Sequence, residues 1–288
     1  MTETNSPLII GIGELLWDML PTGKVVGGAP VNFVYHATKQ GARGYAISAI
    51  GNDALGDELL NELNQNGINH CLTRPDYPTG TVQVSLNNGV PSYNIVEDVA
   101  WDHIQPSEDS VALMQKADAV TFGTLAMRNE DSRKTIDMLL SLVPAGALKF
   151  FDINLRGKYY SKELILSLLS TANAFKINDE ELAVLIPLLD LPEQGEAACL
   201  ELIKRYGLRY LVLTAGDKYS AVYTPTEKSF LPTPKVQVVD TVGAGDSFSG
   251  AFVYSILTGK SVREAHEAAV KTAAFVASRA GAWASDPV

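Results

Sequence analysis

Cysteine is nearly absent: 288 residues hold only Cys71 and Cys199, far apart and with no C-x-x-C spacing. That pattern excludes a disulfide framework and fits two core or near-core thiols in a reducing compartment. Histidine is equally sparse, and His36, His70, His103 and His266 show neither metal nor triad spacing, so they read as core or surface residues. Positive charge is in deficit, with 23 basic against 33 acidic residues and a net charge of -10, which argues against a nucleic-acid footprint. No apolar run reaches the 18 residues that would suggest a membrane span, and Leu8-Ile-Ile10 is too short for a signal sequence. A G-x-S-x-G nucleophile turn is missing as well. The expectation is a cytoplasmic protein that binds neither nucleic acid nor membrane. With 46% hydrophobic residues and a mean hydropathy of +0.06, residues 1–288 suit one α/β domain with a small appendage.

What is present centres on Val236 to Phe252. The β-branched run Val236–Val239 predicts a strand, followed by Asp240-Thr241 and the glycine turn Gly243-Ala244-Gly245. Asp246 and Ser247 are expected to cap a helix carrying Phe248, Phe252, Ile256 and Leu257 at helical spacing, with Gly259 as its stop. The first N–H groups of a helix have no internal partner and carry partial positive charge, so such a turn suits an anion. A carboxylate in the same turn is a poor neighbour for phosphate at rest. Asp246 makes better sense as a general base for a hydroxyl that attacks phosphorus. Two other glycine readings fail. No Lys follows Gly245 as a Walker A loop requires, and Phe248 stands where a dinucleotide fingerprint needs glycine. The plain alternative is an ordinary turn capped by Asp.

Along the chain, Leu8–Gly13, Tyr45–Ile50, Ala119–Phe122, Leu148–Ile153, Ala174–Ile177 and Tyr210–Thr214 read as strands. Helices are expected over Pro30–Gln40, from an Asp53 cap to Asn66-Gly67, near 130–142, 162–171, 179–189 and 195–206, and closing over Lys271–Arg279. Strands alternating with helices predict a doubly wound, mainly parallel sheet, with ligands at the carboxyl ends of its strands. Residues 78–104 differ: Thr81–Leu86, the turn Asn87-Asn-Gly89 and Tyr93–Val96 predict a β-hairpin. Together with β elements near 14–26 it would form a small lid. Three polar clusters follow strands: Asp152-Ile-Asn-Leu-Arg156, Lys176-Ile-Asn-Asp-Glu-Glu181 and Thr214-Ala-Gly216. Each alone could be a cap or a solvated loop.

The string D-T-x-G-A-G-D-S-F-x-G-A-F resembles the C-terminal signature of the PfkB/ribokinase family of sugar kinases. Gly27-Gly-Ala-Pro-Val-Asn32, with Gly41 and Ile50-Gly-Asn-Asp53-x-x-Gly56, is similar to its N-terminal signature, and the likeness runs over about residues 8–282. It implies a ribokinase-like fold and phosphorylation of a small sugar by ATP with Mg²⁺. By position, Asp18, Gly28, Asn32 and Asn154 would bind the sugar, joined by Tyr93 of the hairpin, and Arg156 would face the transferred phosphate or the substrate. Asn178, Thr214 and Gly216 would contact the nucleotide, and Glu181 would help to place Mg²⁺ through water. Gly243, Ala244 and Gly245 would form the anion hole, with Asp246 as base and substrate contact. Asp240, Thr241 and the loop near Gly281–Ser285 would bind K⁺. Tyr219 and Val270 stand where relatives often carry Gly and Asn. Fructose is the expected acceptor for three reasons: Gly27-Gly-Ala-Pro-Val-Asn32 and Tyr93-Asn-Ile-x-x-x-x-Ala100-Trp-Asp102 resemble stretches of fructokinase-like members, Tyr93 and Trp101 could cover a sugar ring (Trp101 otherwise packing the lid), and residues 77–104 hold no Lys or Arg for a second phosphate. A nucleoside kinase and a non-catalytic sugar- or nucleotide-binding regulator are the rivals. A homodimer joined through the lid is a further expectation.

Overall fold

The computed structural model describes residues 6–21, 23–87 and 90–284, with the side chains of 84–87 and 90–93 outside the described part. In chain order the elements are β1 (Leu8–Ile12), β2 (Leu16–Leu20), β3 (Gly23–Gly27), α1 (Ala29–Lys39), β4 (Arg43–Ala49), α2 (Ala54–Gln65) and β5 (Asn69–Thr73). The hairpin strands β6 (Gly80–Asn87) and β7 (Val90–Ile95) follow, then α3 (Glu108–Met114), β8 (Ala119–Phe122), α4 (Glu130–Ser141), β9 (Leu148–Asp152) and α5 (Lys162–Thr171). The rest comprises β10 (Ala174–Asn178), α6 (Asp179–Leu188), α7 (Gly195–Tyr206), β11 (Tyr210–Ala215), β12 (Tyr219–Tyr223), β13 (Lys228–Pro232), α8 (Ala244–Leu257) and α9 (Val262–Ala277).

Nine strands make one sheet in the order β13-β12-β11-β10-β9-β8-β1-β4-β5. From β5 to β11 every pairing is parallel, and only β12 and β13 are antiparallel. Strands covered on both faces should be apolar throughout, and β1 and β8 are buried at every position. Alternation along β1 sends Leu8, Ile10 and Ile12 to one core, with Ile136, Leu164 and Leu202 of the overlying helices. Ile9 joins the other, with Val34, Leu59 and Phe252. Each fully buried Leu, Ile or Phe in these layers contributes roughly 1.5–3 kcal/mol. The smaller sheet runs β3-β2-β6-β7, with Asp18 of β2 opposite Val25 and Val82.

β1 has β4 on one side and β8 on the other, so the chain winds outward in both directions from it. The crevice at the carboxyl ends of β1 and β8 is therefore the switch point where such sheets place ligands.

Three sequence expectations give way. Val236–Val239 is not a strand. Val238 and Val239 are 58% and 59% exposed, and the N–H groups of Val239 and Asp240 turn to the Ala277 carbonyl of α9. The run leaves the sheet beyond its edge strand β13, past Pro232 and Pro234, and β-branched residues form strands only where an edge can pair them. Asp246 and Ser247 do not cap α8. Gly243 is the N-cap, in the left-handed region at φ 75°, which puts Asp246 at the third helical position. Trp101 does not cover a sugar: its ring is fully buried beneath the Arg128 guanidinium, 4.0 Å away. The sequence also gave no warning of β5, β12, β13 or α3. Among the described residues no helix is long and apolar enough to cross a membrane.

Candidate active site

The helix α1 starts at Gly28, whose φ of 120° and contact with the Glu14 backbone carbonyl (2.3 Å from where a Cβ would stand) admit no side chain. One turn on, Asn32 is nearly buried. Its amide donates to Asp246 Oδ2 at 2.8 Å, and its carbonyl accepts from Trp283 Nε1 at 2.8 Å. Trp283 stacks on Tyr35 with centroids 5.1 Å apart, so the terminal loop fixes the residue that orients Asp246. The Asp246 carboxyl is pushed up to about 6 by burial and by the Asp152 carboxylate, against the opposing pull of Lys176, Asn32 and Arg156.

Beside it lies a buried ion pair. Lys176 of β10 meets Asp152 Oδ2 at 2.7 Å, both side chains being under one-tenth exposed. Burial works against the charge on Lys176, but Asp152 and Asp246 outweigh it and its pKa is raised. Ser249 Oγ donates to Gly245 O at 3.0 Å and to Asp152 Oδ2 at 3.4 Å, tying the glycine turn to this pair. A Cβ on Gly245 would come within 3.2 Å of Lys176 Nζ, so the turn rests against the ammonium. In that turn the Ala244 N–H donates to Thr241 O at 3.3 Å. The N–H groups of Gly243, Gly245 and Asp246 have no protein acceptor among the described residues. Three free donors therefore remain at the start of a 14-residue helix whose first turn also carries the Asp246 carboxylate.

The remaining expected residues fall into three places. Asn178 and Glu181 form a reciprocal cap of α6, and Glu181 Oε1 also accepts from Leu155 N at 3.0 Å. Both Glu181 oxygens are thus engaged by main chain, and burial raises its pKa in spite of them and of Lys176. Thr214 pairs in register with Asn178 at the adjoining strand end, and Gly216 O accepts from Thr233 Oγ1 at 2.9 Å. Arg156 is exposed, donates to Leu155 O and Asn154 Oδ1, and lies near enough to oppose the raised pKa values of Asp246, Asp18 and Glu14. Asn154 itself sits at φ 40°.

Asp18, on the small sheet, is pushed up to about 6 by burial against Arg156. Its Oδ2 would be 2.4 Å from a Cβ on Gly27. Asp240 accepts from Val242 N at 3.0 Å and Gly281 N at 3.1 Å, joining the turn to the terminal loop; Ser285 lies outside the described residues. Tyr93 pairs with Val84 in the hairpin, and its side chain too lies outside the described part.

Sequence reasoning places Lys176 in a polar cluster without giving it a role, and does not single out Glu14, Ser249 or Trp283. A lysine inside an otherwise apolar parallel strand was the one available signal, since an unpaired charge is not buried. Glu14 is 5% exposed, with a carboxyl pushed up to about 7 by burial.

A doubly wound sheet with its switch point at β1 and β8, a four-stranded companion sheet and a helix start bearing free N–H groups and an aspartate together describe a ribokinase-like phosphotransferase fold. The family model for pfkB family carbohydrate kinases matches residues 19–288, and the chain belongs to that family of sugar kinases. It is 30% identical over 304 residues to Probable fructokinase-5 of Arabidopsis thaliana, covering 96% of this chain and 91% of that one. It is 26% identical to the ATP-dependent 6-phosphofructokinase of Thermoanaerobacterium thermosaccharolyticum, covering 93% and 87%. The fructokinase of Xylella fastidiosa, solved with bound ATP, superposes with a TM-score of 0.82 at 24% identity, over 96% of this chain and 94% of that one.

Proposed function

We propose that this sugar kinase transfers the γ-phosphoryl group of ATP to a primary hydroxyl of fructose. The observation that carries the reading is Asp246, fixed by Asn32 at 2.8 Å beside the free N–H groups of Gly243 and Gly245. Its carboxylate takes the hydroxyl proton as that oxygen bonds to the γ-phosphorus, and the bond to the bridging oxygen of ADP breaks. The N–H groups stabilise the charge that develops on the transferred phosphoryl group. Lys176, held by Asp152, backs the turn with a fixed positive charge. Asp18, Gly28, Asn32 and Asn154 frame the sugar, Arg156 meets the phosphoryl group, and Asn178, Thr214 and Gly216 face the nucleotide.

Among the described residues no three His, Cys, Asp or Glu side chains cluster as a metal cage, and both Glu181 oxygens are taken by N–H groups. That suits Mg²⁺ carried mainly by the ATP phosphates and its own waters, reached by Glu181 through one of them; it neutralises phosphate charge when bound. K⁺ beside Asp240 and Thr241 belongs to the same reading, and equal rates in Na⁺ and K⁺ would count against it. So does a pair of chains joined through the small sheet, which a monomer in sedimentation would refute.

A phosphorylated acceptor is the second reading, favoured by one observation. A cleft of about 470 Å³ at the end of β7 brings Arg128, Arg133 and Lys158 to the lid, although residues 77–104 hold no cation themselves. Arg128 is forked on Asp102 and Lys158 is paired with Glu97, which leaves Arg133 alone without a carboxylate partner among the described residues. Fructose therefore stays ahead. The test is kcat/KM, from ADP release, for fructose, ribose, ketodeoxygluconate, fructose 6-phosphate and adenosine. A preference of about tenfold for any of the last four, a difference of roughly 1.4 kcal/mol, overturns fructose. No ADP release with any acceptor would favour a binding protein.

A further inference from the structure

We propose that Glu14 is a positioning residue for the acceptor side of the cleft, acting through one bound water that it shares with Asp152 and Asn154. Glu14 follows the central strand β1, and its Oε1 accepts the N–H of Ala29, the first residue of α1, at 3.2 Å. A carboxylate at a helix start is well placed against the helix dipole. The same residue's backbone carbonyl is the surface on which Gly28 rests. Glu14 thereby sets where Gly28 and Asn32 stand.

Its other oxygen is the informative one. Glu14 Oε2, Asp152 Oδ1 and Asn154 Nδ2 are buried side-chain atoms with no hydrogen-bond partner among the described residues. All three residues line a single small cleft, closed by Pro30, Phe33, Phe122 and Leu125. Buried polar groups are almost always satisfied, by protein or by ordered water. The cleft's free space of about 10 Å³ is just enough to admit one water. The chemistry also balances. A water donates one proton to each carboxylate oxygen and accepts from the Asn154 amide, whose orientation is set by its Oδ1 accepting from Arg156 at 3.4 Å. A cation is disfavoured, because the Asn154 N–H donor would point at it and Lys176 already neutralises Asp152.

The water would tie the end of β1 to the end of β9 across the switch point. Asn32, with its hold on Asp246, and the Asp152–Lys176 pair then sit in one rigid frame. The effect on acceptor binding rests on the proposed reading of the site, but the water itself does not.

The experiment is a set of crystal structures of the ligand-free protein at a resolution that shows waters, as wild type, Glu14→Gln and Glu14→Met, with kinetics on the same samples. Wild type and Glu14→Gln should show a peak within hydrogen-bond distance of all three side chains. Glu14→Met should fill the space and expel it. The methionine variant should raise the acceptor KM about tenfold or more with a smaller change in kcat, and the glutamine variant should stay within about threefold of wild type. A direct bond from Glu14 to Asn154 with no peak, a peak with metal coordination distances, or a methionine variant with wild-type KM would each overturn the proposal. Equal loss in both variants would also overturn it. If the peak is present but no acceptor is phosphorylated by wild type, the kinase reading fails and the water site stands.

Discussion

Two stretches meet at Asp246 and are built in opposite ways. On the sheet side the main polar groups are held by fixed partners: Lys176 on Asp152, Glu181 on two main-chain N–H groups, Asn32 between Asp246 and Trp283. On the approach side, residues 234–239 are all exposed, and Val239 and Asp240 share one carbonyl of α9. The contrast has a physical reason. A buried charge without a partner is ruinous, so the sheet side has one arrangement. Free N–H groups, in contrast, are tolerable only where water can serve them until an anion arrives, so the turn that offers them must stay near the surface. Rigid charge placement and an open mouth are both needed, and the chain provides them from different segments.

Breaking the sheet side should have the largest effect on the fold. Lys176→Met leaves Asp152 buried and unpaired and should cost roughly 3–5 kcal/mol in denaturant unfolding, most of it recovered when Asp152→Leu is added. A loss under about 1 kcal/mol, the size of a surface pair, would mean that the pair is not buried in solution. Next comes the junction. Gly245→Val pushes a branched side chain at Lys176 Nζ and shields the turn, so kcat should fall about 10²-fold, as when one oxyanion donor is lost, with sugar KM nearly constant. A folded variant with full kcat would make the turn merely structural.

The pH profile sharpens the comparison by reporting the field that the sheet side sets up. Asp246 must be ionised to take a proton, and its carboxyl, like that of Asp18, is raised to about 6. The rate should therefore fall as pH drops below about 6 and level off above it. Asn32→Leu removes a hydrogen bond that lowers the Asp246 pKa, so it should move this limb to higher pH. A limb at the ordinary carboxylate position would show that burial does not shape the site. The smallest effect belongs to the open side. Val238→Ser, at a 58% exposed position, should change stability by less than about 0.5 kcal/mol. A larger cost would reveal packing that the exposed run does not show.

The same contrast explains what could be read from the sequence. The inner parallel strands were legible because apolar runs between helix caps leave few alternatives, and Ala119–Phe122 falls where its composition puts it, whereas the edge strand β5, nowhere fully buried, was not. Asp53, Asn178 and the Pro30 helix start were legible because local chemistry settles a cap. Val236–Val239 misled because strand propensity depends on a partner edge that sequence does not display. Trp101 stayed open between lid packing and a ligand cover because aromatic residues near a hairpin look alike whether they face a ligand or the core. In the site, Asp246 and the glycines carry a recognisable string. Lys176, Glu14 and Trp283 matter through partners 24, 15 and 251 residues away, and a local pattern cannot announce those pairings.

The central claim is that Asp246 removes the proton in phosphoryl transfer. Its most direct test is kcat for Asp246→Asn, with ATP affinity measured in parallel by calorimetry. General base catalysis predicts a kcat lower by roughly 10²–10⁴-fold with ATP affinity little changed. Turnover within about fivefold of wild type, well short of that span, would contradict the assignment.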